Sequence, residues 1–273
     1  MSMLKKTMKT NIALKLTALG LSSFVAMGTA SANNTLTVAA TPVPAAEILE
    51  FMTVQMAEQG VDLKVHVFTD FIQPNQQVAE KQIDMNCFQH KPHLDSFNRN
   101  EDQNLVPQGY MYILPLGAYS NKIKSIDELK NGASVAIPSD TTNGARALLL
   151  LQKAGLITLK DPDNLFATSR DVADNPKKLK FVELEAATIP RVLSDVDLAV
   201  INTNYALDAD LNPKNDSLFM EDTDSPYANL CASREDNQDR EAIQKLNAAW
   251  QSPETLKFIE EKYQGTVIPV KAQ

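Results

Sequence analysis

The sequence predicts an α/β chain folded into two lobes with a ligand cleft between them. Three observations carry that expectation. Strand-like and helix-like segments alternate from Thr35 onward, the pattern of parallel sheets covered by helices. The alternation restarts near residue 120. Two extended stretches, 105–119 and 225–234, stand where a chain would cross to a second lobe and return. The chain then divides into a leader over 1–32, one lobe from 33–117 completed by 226–273, and a second lobe from 118–225. The cleft between lobes is the natural place for a small ligand.

The leader is read from charge and hydropathy. Lys5, Lys6, Lys9 and Lys15 make a basic start, an apolar run extends from Leu16 to Met27, and Ala30-Ser31-Ala32 supplies a small-residue cleavage site. That is the pattern of a secretory signal peptide cut after Ala32. The run is about 12 residues long, short of the ~20 that span a bilayer.

Beyond it, Thr35 to Ala40 reads as a strand and Pro42-Val43-Pro44 as a loop. Ala45, Ile48, Leu49, Met52 and Met56 recur at helical spacing, and Gly60 ends that helix. Leu63, Val65 and Val67 alternate with polar residues as a strand does. A short helix follows over 74–82, a buried strand over 83–88 and a helix over 90–100. In the second cycle, Ser125 and Glu128 fit a capping box in which each side chain meets the other's backbone N–H. Strands are expected over 134–137, 181–185 and 198–201, with a helix over 142–154 closed by Gly155.

Composition excludes several functions. The 273 residues carry 26 Lys and Arg against 34 Asp and Glu, a net charge of −8 that becomes −12 without the four lysines of the leader. An acidic chain with no basic run is a poor partner for nucleic acid. The glycine-rich nucleotide cradles, H-E-x-x-H and G-x-S-x-G are absent.

Four groups of residues are candidates for chemistry. Cys87, His90 and His93 fall at three-residue intervals, which suits metal ligation or a Cys–His nucleophile pair. Pro92 and the switch from strand to helix disturb that spacing, and no fourth ligand stands nearby. The plain reading is loop residues beyond a strand's carboxyl end, where α/β proteins hold ligands. Cys87 and Cys231 are either a disulfide, which export permits, or two buried thiols. Arg146, near the start of a helix, is either a surface residue or an anchor for a carboxylate; Asn143 beside it is a cap or first-turn residue. Asn202, Asn204 and Asn229 are either turn residues or amides able to meet both ends of a zwitterion. Phe71 and Phe88 belong to a core or to an apolar pocket wall.

Seven stretches together resemble the NlpA/MetQ family of methionine-binding proteins: ATPVPAAEILE (40–50), FTDFIQPN (68–75), NCFQHKPHLDSFN (86–98), YSNKIKSIDEL (119–129), NPKKLKFVELEAATIPR (175–191), AVINTNYAL (199–207) and SPYANL (225–230). They span nearly the whole chain after the leader, in family order. The resemblance implies a two-lobed periplasmic-binding-protein fold of type 2 and a non-enzymatic, cofactor-free receptor. Its ligand would be L-methionine, with D-methionine as a further ligand, and its partner an ABC importer's permease and ATPase. A receptor of the same fold for another amino acid or a Met-containing dipeptide is the alternative, and a metal-binding receptor using Cys87, His90 and His93 a more distant one. By resemblance, Arg146 holds the ligand carboxylate. Asn143 shares its motif, Asn202 and Asn229 hold the amino-acid backbone, Phe71, Phe88 and His93 pack around the side chain, and His90 falls with Phe88 in the FQH motif. Phe71 and His93 stand where the family often carries Tyr. Many relatives carry a lipid-bearing cysteine in the leader, and residues 1–32 have none. The expectation is therefore a free periplasmic protein, with a monomer as the default for a soluble receptor.

Overall fold

The computed structural model describes residues 34–223 and 226–270, so the expected signal peptide lies outside the described residues. The N-terminal part alternates as the sequence suggests: β1 Thr35–Ala40, α1 Glu47–Glu58, β2 Asp62–Val67, α2 Gln73–Ala79, β3 Met85–His90 and α3 Lys91–Asn100, then β4 Leu105–Ile113. A second series follows: β5 Gly117–Tyr119, β6 Ser134–Pro138, α4 Thr141–Lys153, β7 Thr158–Leu159, β8 Val172–Asp174, β9 Lys180–Leu184, β10 Leu198–Ile201, α5 Thr203–Asp208, α6 Pro213–Asp216 and β11 Ser217–Met220. The chain closes with β12 Ala228–Arg234, α7 Glu241–Trp250, α8 Pro253–Tyr263 and β13 Ile268–Pro269.

These strands form two main sheets, one in each lobe. The first has the order β13-β4-β12-β3-β1-β2 and the second β11-β5-β10-β6-β9. The expectation of purely parallel sheets is corrected. β1 runs parallel to β2 and β3, and β6 parallel to β9 and β10, but β12 lies antiparallel to β3 and β4, and β5 antiparallel to β10 and β11. The antiparallel strands flank the two crossings, where the chain enters each sheet from the other lobe rather than through a covering helix.

The long extended stretch expected over 105–119 is two strands in different sheets, separated by Leu114, Pro115 and Leu116. Pro115 has no N–H to give a ladder, which suits a crossing. The return runs from Met220 in the second sheet to Ala228 in the first.

Each lobe has its own core. In the first, Met52, Met56, Ile243, Leu246 and Trp250 from α1 and α7 cover Leu36 and Val38 of β1. In the second, Leu148 and Leu151 of α4 cover Val135, Ile137, Leu198 and Val200. Full burial of each such aliphatic side chain contributes about 1.5–3 kcal/mol. No described helix is long and apolar enough to cross a membrane.

Two local expectations shift. The strand expected over 83–88 sits two residues later. Ile83 N closes a turn on Gln77 O, and Asp84 accepts from Thr37, so pairing starts at Met85. The capping box at Ser125 does not form: Ser125 Oγ accepts from Asp127 N at 3.3 Å, and Glu128 reaches Lys124 N instead. The segment folds as a single 3-10 turn, Ile126–Glu128.

Candidate functional site

Between the lobes lies a cleft with about 340 Å³ of space, its open mouth included. The first lobe lines it with Phe71, Phe88, Gln89, His90, His93 and Asn229, and the second with Asn143, Arg146, Asn202, Thr203 and Asn204; Leu114 of the outgoing crossing completes the wall. The eight residues that the resemblance places around the ligand meet here, as does Asn204, whereas Cys87 and Cys231 do not line the cavity. Gln89, Leu114 and Thr203 were not anticipated, although Thr203 falls inside the AVINTNYAL stretch and Gln89 inside NCFQH.

One end of the cavity is aromatic. The Phe71 ring centroid lies 5.9 Å from that of Phe88, 6.1 Å from His93 and 4.8 Å from Tyr205, and Phe88 meets His93 edge-on at 5.9 Å. Phe71 is carried just ahead of α2, where Asp70 Oδ1 accepts from Ile72 N and Gln73 N, both at 2.8 Å. His93 joins the lobes. Its Nε2 donates to Phe71 O at 3.1 Å, and its Nδ1 lies 3.4 Å from Thr142 Oγ1 and 3.7 Å from Asp140 Oδ1.

The other end is polar and rests on the first turns of α4. Asp140 caps this helix by accepting from Asn143 N at 3.0 Å, which makes Asn143 a first-turn residue rather than the cap. Gly144 packs where a Cβ would stand 2.8 Å from Pro138 O, so only glycine lets this turn sit close against β6. Burial works against the charged Asp140 carboxylate, but hydrogen bonds from His93 and Asn143 outweigh it and bring its pKa down to about 2.

His90 closes β3 and caps α3, its Nδ1 accepting from His93 N at 3.2 Å. Its Nε2 stands 3.3 Å from Asn143 Oδ1, an acceptor, so the ring is the neutral Nε2–H tautomer. Burial, with help from the Arg146 charge, lowers its pKa to about 3. Asn143 Oδ1 also accepts from Asn202 Nδ2 at 2.8 Å. Asn202 Oδ1 is buried with no hydrogen-bond partner among the described residues, an acceptor left for something else.

Arg146 is no surface residue; it is 2% exposed. Its Nε and Nη2 grip Glu221 at 2.8 and 2.6 Å, Nη2 also reaches Leu114 O at 2.8 Å, and its guanidinium lies 4.4 Å over the Tyr227 ring. Glu221, absent from the sequence expectations, sits in an acidic run after β11 with nothing local to mark it.

Cys87 and Cys231, paired neighbours on β3 and β12, form a disulfide. This corrects the metal and nucleophile alternatives: Cys87 has no thiolate to give either, and His90 and His93 turn their nitrogens to Asn143 and Phe71 instead.

The family model described as NlpA lipoprotein matches residues 36–271. A D-methionine-binding lipoprotein MetQ from Salmonella typhi is 47% identical over 211 residues, 77% of this chain and 78% of that protein. A nutrient binding protein from Burkholderia cenocepacia, solved bound to methionine, matches with a TM-score of 0.84 at 44% identity, covering 86% of this chain and 99% of that one. The crystal structure of the methionine binding protein MetQ matches with a TM-score of 0.85 at 41% identity, covering 88% and 100%. These names correct the expected localisation. The family is one of lipoproteins and the Salmonella typhi relative is named as one, against a free, untethered protein. That expectation rested on the lack of a cysteine in residues 1–32, a segment outside the matched residues.

Proposed function

The chain belongs to the NlpA lipoprotein family, and on that premise we propose that it is a receptor that encloses methionine between its lobes and delivers it to an ABC importer. The observation that carries this reading is the two-ended cavity. An aromatic end suits a thioether, which is a weak hydrogen-bond acceptor and is selected by shape and contact; a sulfur beside a ring contributes about 0.3–1.5 kcal/mol. A polar end suits the charged groups of an amino acid. Asn202 Oδ1 awaits a donor such as the ammonium, and Arg146 Nη1 has no described partner and is left for the carboxylate.

The charges favour a zwitterion. Arg146 is matched by Glu221 and His90 is neutral, so these groups add no net charge to the site. A ligand of zero net charge brings two opposite ends to partners of fixed position, which in a water-poor cleft form strong directional bonds. We take the lobes as residues 33–117 with 226–273, and 118–225; the strand membership of the two sheets supports this division, with Gly117 already pairing in the second sheet. The receptor acts as a monomer, and no reaction is assigned to it.

The test is calorimetry on protein unfolded and refolded to remove any co-purified ligand. L-Methionine, and more weakly D-methionine, should bind one to one. At 100 times the dissociation constant either should add about 2.7 kcal/mol of stability, a thermal shift of several degrees. Refolded protein that ignores both enantiomers overturns the reading. A response confined to another amino acid or a dipeptide keeps the receptor and reassigns the aromatic end.

A further inference from the structure

We propose that Glu221 is the positioning residue of this site: it sets the bearing of Arg146 toward the ligand and ties that arginine to both chain crossings between the lobes. The inference rests on the reading that Arg146 faces the carboxylate of methionine. Glu221 does not line the cavity; it stands behind Arg146, its side chain 12% exposed. Its carboxylate takes the Nε and Nη2 edge of the guanidinium, which leaves Nη1 as the only terminal nitrogen without a described partner. A bidentate grip fixes the plane of the guanidinium as well as its distance.

The same residue joins the crossings. Glu221 Oε2 accepts from Leu116 N at 2.9 Å, and Glu221 N donates to Leu116 O at 2.9 Å. The outgoing crossing is then held at each carbonyl: Leu114 O by Arg146, Pro115 O by Thr203 Oγ1 and Leu116 O by Glu221. Arg146 and Thr203 are also cavity residues. A shift of the guanidinium on taking a carboxylate therefore acts directly on the backbone that crosses between the lobes.

Two effects of Glu221 oppose each other, which makes the test sharp. As a negative charge it weakens the pull of Arg146 on an incoming carboxylate. As a clamp it holds Nη1 in place. If charge dominates, Glu221→Gln tightens methionine binding; if positioning dominates, it weakens it. Burial favours positioning, because a buried guanidinium without its partner turns to other acceptors.

The experiment compares L-methionine with L-methioninamide, which lacks the carboxylate, by calorimetry on the full chain. Glu221→Gln should weaken methionine by at least about tenfold and change methioninamide by less than about threefold. In an Arg146→Lys background the Glu221→Gln loss should largely vanish. Unchanged or tighter methionine binding overturns the proposal, and so does an equal loss for both ligands, the mark of a merely structural residue. If Glu221→Gln does not fold, Glu221→Asp, which keeps the charge and withdraws the carboxylate by one methylene, is read by the same criteria. Wild-type protein that binds methionine no better than methioninamide fails at the earlier step: it removes Arg146 from the carboxylate, and Glu221's role with it.

Discussion

The two walls of the cavity are built on opposite terms. In and behind the first-lobe wall, Asn75, Asn86 and the cavity residue Gln89 exchange hydrogen bonds in a closed ring of 2.6 to 2.9 Å, with Asn86 also reaching Pro74 O. The strand that carries Asn86 and Gln89 is pinned to β12 by the Cys87–Cys231 disulfide. The second-lobe wall uses the same kinds of side chain, yet Asn202 Oδ1 is left without a partner. A buried amide that finds all its partners inside the protein is scaffolding. One held by its donor side alone, with its acceptor on a cavity, is prepared for a ligand. The contrast predicts that damage to the Asn75–Asn86–Gln89 network costs stability and that damage to Asn202 costs affinity.

The largest effect should follow from cutting the disulfide. It links positions 144 residues apart, for which the loss of unfolded-state entropy corresponds to about 5 kcal/mol. Cys87→Ala with Cys231→Ala should lower unfolding stability by about 4–5 kcal/mol in a denaturant titration, while methionine affinity stays within about threefold. An affinity that collapses in protein still fully folded would end the distinction between the walls.

The next effect tests where the walls meet. His90 ends the first-lobe strand and gives its Nε2 proton to Asn143 of the second lobe. Its folded pKa is depressed from 6.5 to about 3. The unfolded chain therefore binds a proton between these values and the folded chain does not, so stability is full above pH 6.5 and falls as pH drops toward 3. Between pH 6.5 and 4 the loss should reach about 3 kcal/mol, and His90→Gln should flatten that slope. Asp140 adds to acid loss only between 3.8 and about 2. Urea titrations at pH 7, 6, 5 and 4 read the slope, and an identical slope in His90→Gln removes His90 as its source.

Much of this was legible in the sequence, for reasons that differ by residue. The helix expected over 142–154 and the strand over 198–201 appear almost as read, because apolar periodicity and a closing glycine are local signals. Phe71, Phe88, Asn143 and Arg146 were found through motifs that keep neighbours together. Glu221 was not, since its meaning lies in Arg146, 75 residues earlier, and in Leu116. The mixed sheets were hidden for the same reason: strand direction is decided by where the crossings fall. At Ser125, the box pattern lost to a tighter 3-10 turn in which Asp127 N reached the serine first.

The smallest stability effect is the most decisive for the contrast, and it is read by truncating one asparagine on each side. Asn75→Ala removes two acceptor bonds and a donor bond from Asn86 and Gln89, leaving buried amides unpaired, and should cost about 2 kcal/mol of unfolding stability. Asn202→Ala removes one bond to Asn143 Oδ1, which keeps His90 as a donor, and it also removes an acceptor that was never satisfied. Its stability cost should stay below about 1 kcal/mol, because the group deleted was already incurring a desolvation penalty. Its methionine affinity should nevertheless fall at least about tenfold, since the ammonium loses its acceptor in a site that admits little water. Calorimetry and denaturant titration on the same two preparations give both quantities. If Asn202→Ala costs as much stability as Asn75→Ala and leaves methionine binding untouched, its open acceptor is no ligand contact, and Asn202 is scaffolding like Asn75.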